Sequence, residues 1–487
     1  MKKIFFLLIL LILLMPVTGS IISCKSSPSQ PERTAVAPGT KDQKPDGASL
    51  TNKEPADTAS LLLLISELLE QNDYESALAR FGMIKAEDAE KAEIMLLRAS
   101  TLISAGKSGE ARSIANEILK SDPNHVPALL TLASAEEAQN RGREQRAALE
   151  QVLAVEPENV PALVSMGKLM IRNSTTRLAG PYFDRALAAD PENGEALLGR
   201  SWVYRNARDT KNAELLLNRA VELYPGWARA YQERGRLYKA AGYYPAGLAD
   251  LDKAQALDPE NYFIACDRAD ALKNLNRKSE ALAEYSRAIA INPGYFLAYV
   301  FSSNLKDDLG DYDGAFADYQ NLARLNPDYY FAFEGLGMHL MRQSRWLEAK
   351  DAFVEAYRRA SVMDSSGSDL GMYALLAAIC ALHGGTRRDA QPFMDEALRK
   401  VVRDSLEYRF LRLYRDWVGD LDISNRIDRE RNPLVKSRML FYLAYYYDIR
   451  GSKNLADKLF LQVKELEVKE TIEWRLNEWV LDARGLK

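Results

Sequence analysis

The chain has 487 residues, 47% of them apolar and 27% charged, with a formal net charge of −4. That balance fits a water-soluble body and lacks the basic excess that recruits nucleic acid. The length corresponds to roughly three average domains, unless the chain is a repeat array, which lengthens without enlarging one core.

The first element is apolar. Lys2 and Lys3 precede an uninterrupted apolar run from Ile4 to Met15. A short cationic start, an apolar stretch and small residues before a cut site predict a secretory signal over residues 1–23. Ile21-Ile22-Ser23-Cys24 resembles the lipobox of bacterial lipoproteins. The resemblance implies cleavage before Cys24 and acylation of that cysteine, and two or three acyl chains anchor stably where one does not. Lys25 follows, where an aspartate serves in some bacteria as an inner-membrane retention signal, so the resemblance leans toward the outer membrane. Residues 24–57 are rich in Pro, Ser, Lys and Asp. They predict a disordered tether behind the lipidated cysteine, spanning roughly 30 Å on average.

A fixed beat begins after the tether. Pro123, Pro157, Pro191, Pro225, Pro259, Pro293 and Pro327 are each 34 residues apart. Counting back from them defines repeats that start at 58, 92, 126, 160, 194, 228, 262, 296 and 330 and run without a gap over 58–363. Their eighth places include Ala99, Gly167, Gly235, Ala269 and Gly337, their twentieth Ala77, Ala111, Ala179, Ala281 and Ala349, and their twenty-fourth Phe81, Phe183, Tyr285, Tyr319 and Phe353. Small residues let two helices approach, and the larger ones fill the space between neighbouring hairpins. In 262–295 the apolar spacing predicts a first helix over 262–274 and a second over 278–291. At 126–159 Gln145 stands where other repeats carry a small residue, which predicts a looser crossing there.

This pattern closely resembles the tetratricopeptide repeat, with a small residue in the first helix, Ala then an aromatic in the second, and a closing proline. The expected fold is all-α: a superhelical solenoid of antiparallel helix hairpins, about 11 repeats in all. The C-terminal part, 364–487, holds two further repeat-like segments (371–404 and 437–470), a degenerate helical pair at 405–436, and a capping helix with a solvated outer face.

Little in the chain supports catalysis. His125, His339 and His383 do not form an i, i+4 pair, and Cys266 and Cys380 read as buried thiols. Nucleotide-binding glycine motifs and the G-x-S-x-G motif are absent. The reading is therefore a non-enzyme without cofactor, metal or small-molecule substrate.

The family resemblance puts a binding groove on the first helices, at their second, fifth, ninth, twelfth and thirteenth places. Those positions give Lys168, Arg172, Trp202, Arg205, Asn206, Gln232, Arg236 and Lys239, then Asp270, Lys273 and Asn274. The expectation is a peptide groove in which the cations meet partner carboxylates and Trp202 supplies an apolar anchor. Trp227, Tyr262, Tyr295 and Tyr329 cluster just after the prolines, either packing between hairpins or forming an aromatic rim. The two-carboxylate clamp of chaperone-binding relatives is not matched, because the corresponding pairs read Leu62/Ser66, Leu96/Ser100, Leu130/Ser134 and Val164/Lys168. The expected function is a scaffold docking unidentified proteins or peptides at the bacterial cell envelope, in the assembly of outer-membrane, pilus or cell-wall machinery. The alternative is a surface-exposed adhesin binding host cells or matrix.

Overall fold

The computed structural model describes residues 57–363 and 370–486. The signal segment, Cys24 and the tether as far as residue 56 lie outside the described residues. Among the described residues every regular element is an α-helix. They form two compact units, one running to Leu223 and one starting at Tyr224.

Both units are stacks of helix hairpins. First helices begin at Thr58, Ala92, Val126, Val160 and Gly194 in one unit, and at Ala228, Tyr262, Phe296 and Tyr330 in the other. In the repeat 262–295 the pair runs Tyr262–Asn274 and Lys278–Ile291. The repeat at 58–91 differs, because its second helix stops at Phe81 before Gly82 and a short turn of helix, Ala86–Ala89, completes it.

Two local devices set the hairpin geometry. At the junction between repeats, Asp258 leaves the helical region ahead of Pro259, and Asn261 Oδ1 accepts from the Phe263 and Ile264 amides at 3.1 and 3.4 Å. Proline forbids continuation of one helix, and the asparagine satisfies orphan donors of the next. The second device lies inside each hairpin. Asn72, Gly106, Asn140, Ser174, Arg208, Gly242, Asn276, Gly310 and Ser344 all have positive φ, between 56° and 83°, at intervals of 34 residues. Each ends a first helix. The following amide closes a six-residue ring onto the helix, as Thr175 N does on the Met170 carbonyl at 2.9 Å.

The core follows from pairing small with large. Phe183 is fully buried. A β-carbon added to Gly167 would lie 2.5 Å from its ring, and one added to Gly199 of the next repeat 2.3 Å. Gly337 stands to Phe353, and Gly235 to Leu251, as Gly167 does to Phe183. Gln145 is fully buried as well. Its Nε2 donates to Glu137 Oε2 at 3.2 Å, and its Oε1 accepts from Arg172. At this crossing the polar end is paired, and hydrogen bonds take the place of the missing small-residue contact.

Beyond residue 370, Leu370–Gly384 pairs with Arg387–Lys400 and Pro433–Ile449 with Lys453–Glu465, whereas between them Leu406–Asp416 packs on Leu370–Gly384 and Arg387–Lys400, and Asp420–Arg429 on Pro433–Ile449. Cys266 and Cys380 are both buried free thiols. The C-terminal helix, Ile472–Ala483, departs from the expected cap. Glu473, Leu476, Asn477, Trp479 and Leu481 are buried, and the helix packs on Tyr330–Arg342 as well as on the two helices preceding it in sequence. Glu473 is buried against Arg438, and the partly exposed Arg475 reaches the buried Asp307, so part of the face expected to be solvated faces inward, while Asp482 stays exposed.

Candidate functional site

In each unit the first-helix positions carry polar side chains whose charges are largely satisfied from within. In the unit ending at Leu223, Lys168 Nζ meets Glu195 Oε2 at 2.8 Å, and Arg172 Nη1 meets Glu137 Oε1 at 2.9 Å. Trp202 and Arg205 are half-buried and Asn206 is exposed.

In the unit from Tyr224 the network is denser. Asp267 Oδ2 accepts from Gln232 Nε2 at 2.8 Å and Arg236 Nε at 2.6 Å, while its Oδ1 accepts from Lys239 at 3.0 Å. Lys239 also reaches Asp270 Oδ2 at 3.1 Å, and Arg236 reaches Glu233 at 2.8 Å. The Tyr285 hydroxyl donates to Asp270 Oδ1 at 2.5 Å. Lys273 and Asn274 remain exposed, with Lys273 Nζ 5.9 Å from the centre of the Phe301 ring.

These contacts give the cations of the expected groove partners within the chain. Lys168, Arg172, Arg236 and Lys239 are the cations expected to meet partner carboxylates. Each is instead matched to an acidic residue one repeat away, because stacking sets the first helices side by side. Arg236 and Lys239 point at Asp267 and Asp270 of the next first helix, so the basic and acidic strips are two sides of one ion-pair seam. Charge-assisted contacts in this partly buried setting are stronger than exposed pairs.

Sequence reasoning missed the hydroxyls beneath the seam. Tyr285 and Tyr319 hold the twenty-fourth place, where Phe183 and Phe353 stand in other repeats. Tyr319 Oη donates to Asp307 Oδ2 at 3.0 Å, as Tyr285 does to Asp270. A tyrosine at the twenty-fourth place coupled to an aspartate at the ninth or twelfth is the legible signal. Burial, reinforced by the adjacent aspartate, holds both phenols above their usual range. Burial beside Asp267 and Asp270 also pushes the Cys266 thiol up to about 12.

The aromatic positions pack against other rings near the repeat junctions while staying partly exposed. Tyr262 lies 4.8 Å from Tyr295, and Phe296 lies 6.0 Å from Tyr329, in each case joining the first and last residues of one repeat. Trp227 meets Tyr224 edge-on at 5.7 Å. Trp227, Tyr262, Tyr295 and Tyr329 are all half-buried, so they combine ring contacts with partial exposure. Among the described residues no group of three or more His, Cys, Asp or Glu side chains is placed to hold a metal ion.

The architecture defines a helical-hairpin repeat protein with polar side chains along its first helices. Models of the tetratricopeptide repeat match residues 68–136, 166–226, 264–295 and 303–364. The chain belongs to the tetratricopeptide repeat proteins, whose repeats bind protein or peptide partners. It is similar to a solved tetratricopeptide repeat protein from Parabacteroides merdae, at 17% identity over 51% of this chain and 98% of that one, with a TM-score of 0.42. It is also similar to PilW, described as a widely conserved type IV pilus biogenesis factor, at 21% identity over 42% of this chain and 94% of that one, TM-score 0.39. Pseudomonas aeruginosa PilF is similar at 19% identity over 42% of this chain and 92% of that one, TM-score 0.37. No curated protein matches the chain.

Proposed function

We propose that the chain is a lipid-anchored, non-catalytic scaffold that docks partner proteins at the bacterial cell envelope, on the outer membrane. The observation that carries this reading is one chain joining the Ile21–Cys24 motif and a polar tether to a body of interaction repeats. Acylated Cys24 would hold the chain at a lipid surface, and the tether would let the body reach partners at a distance. Its work would be the assembly of outer-membrane, pilus or cell-wall machinery. Within the expected groove, the exposed Asn206, Lys273 and Asn274 and the half-buried Trp202 are the groups open to a partner.

The test is metabolic labelling with a fatty acid, followed by crosslinking in intact cells. The wild-type chain takes up label and sediments with outer membranes, whereas Cys24→Ala does neither. Equal labelling of the two would overturn the anchor. Protease treatment of intact cells then separates the periplasmic scaffold, which is protected, from a surface adhesin, which loses its body.

A further inference from the structure

The C-terminal helix is recognised group by group by the repeats around it. Glu473 Oε1 accepts from Arg438 Nε at 2.7 Å and from the Tyr442 hydroxyl at 2.8 Å. Arg475 Nη1 lies 3.4 Å from Asp307 Oδ2. The Trp479 ring sits 5.2 Å from Tyr312, edge-on, and 5.3 Å from His339. Just past the helix, Arg484 meets Asp448 at 2.7 Å and Asp457 at 2.6 Å. A carboxylate, a guanidinium and an indole on one short helix each have a dedicated receptor. Those receptors belong to repeats 296–329 and 330–363 on one side and to residues 433–470 on the other.

The fit is incomplete. Trp474 Nε1, Asn477 Oδ1 and Glu478 Oε1 on the helix, and His339 Nδ1 opposite it, are buried without a hydrogen bond. A partly satisfied buried network is weaker than a full one or an apolar core. A cleft lined by Met341, Trp346, Tyr445, Leu476 and Val480 runs beside the helix. The linker back to the preceding helix includes Glu467 at φ +50°, a left-handed value that side chains rarely adopt. A helix of 12 residues has little stability of its own and depends on the surface that holds it.

We propose that Ile472–Ala483 is a resident ligand, and that the surface under it is the docking site for an amphipathic helix of a partner protein. The partner helix carries the same groups at the same spacing: a carboxylate, a cation two residues on, and an indole four residues after that. It displaces the resident helix by supplying the hydrogen bonds that helix leaves unmade. The short linker after Lys453–Glu465 keeps the resident at millimolar effective concentration, so ill-matched helices are shut out. The inference rests on the protein-docking reading of the repeats and is independent of lipid anchoring.

The test uses the full chain and a fluorescent peptide with the sequence of residues 470–487, followed by anisotropy. The peptide binds the double variant Arg475→Ala, Trp479→Ala at least tenfold tighter than wild type, and a peptide with Glu473→Lys loses that binding. A double variant that keeps its helical signal and binds no better than wild type overturns the proposal. Hydrogen exchange on the wild-type chain gives a reading that does not depend on the variant folding. Helix 472–483 opening ahead of Pro433–Ile449 supports the proposal, and the two exchanging together overturns it. Cys24→Ala leaves both results unchanged, so a failure here is distinct from a failure of the envelope reading.

Discussion

Arg475 reaches Asp307 across 168 residues of sequence, Nη1 to Oδ2 at 3.4 Å. The aspartate side chain is 3% exposed, and His339 Nε2 stands 2.9 Å from its other oxygen. A carboxylate this deeply buried needs its cation. Arg475→Ala is expected to cost about 1–2 kcal/mol, discounted because the arginine itself is partly exposed. In an Asp307→Asn background the same substitution should cost less than half as much. Urea unfolding followed by tryptophan fluorescence measures both.

The ion-pair seam makes a functional prediction. Asp267 and Asp270 hold Arg236 and Lys239 in place. Replacing both aspartates with asparagine releases Lys239 and leaves Arg236 with Glu233 alone. The variant should gain binding to a glutamate-rich peptide, by tenfold or more, and 0.5 M salt should abolish the gain. Titration calorimetry at low and high salt is the measurement.

Gly167 and Phe183 test the packing rule. The missing β-carbon is replaced by the phenylalanine ring, and no side chain can enter without displacing it. Gly167→Ala should destabilise by about 1–3 kcal/mol, the usual range for overpacking. Adding Phe183→Leu should recover part of that loss, which thermal denaturation of the single and double variants would show.

The left-handed turns offer a gain. Arg208 has φ +61° and an exposed side chain. Arg208→Gly relieves a backbone cost that exceeds the entropy of the glycine, and should stabilise by about 1 kcal/mol. The opposite change, Gly242→Ala at φ +83°, should lose a similar amount. Paired denaturant titrations give both signs.

Alkaline pH should weaken the unit from Tyr224. Burial pushes Cys266 and Tyr295 up to about 12. Unfolded, they titrate at ordinary thiol and phenol values, so the unfolded chain loses protons first as pH rises. Stability from these groups is therefore complete below about pH 8 and falls as pH climbs toward 12. Denaturant midpoints between pH 8 and 11 should decline. Cys266 in the folded chain should also resist iodoacetamide at pH 8, where a free thiol reacts.

The hairpins were legible because their signals are local and repeat. Pro259, Asn261 and the alanines of the second helix report backbone geometry and close approach at fixed places. The left-handed beat was equally available in Asn72, Gly106, Asn140, Gly242, Asn276 and Gly310, but Ser174, Arg208 and Ser344 interrupt its composition. The groove was only half legible. The positions of Arg236, Lys239 and Asp270 along their helices follow from periodicity, whereas their partners depend on how neighbouring first helices align. The placement of Trp479 against His339 lay beyond pattern reading, since nothing near residue 479 names residue 339.

The left-handed turn recurs at one phase of every repeat from 72 to 344. A crossover between any two of these turns joins like to like and deletes or duplicates whole hairpins without a frame conflict. Gain or loss of 34 residues is therefore the natural unit of change for such a chain, and homologues should differ in length by that quantum.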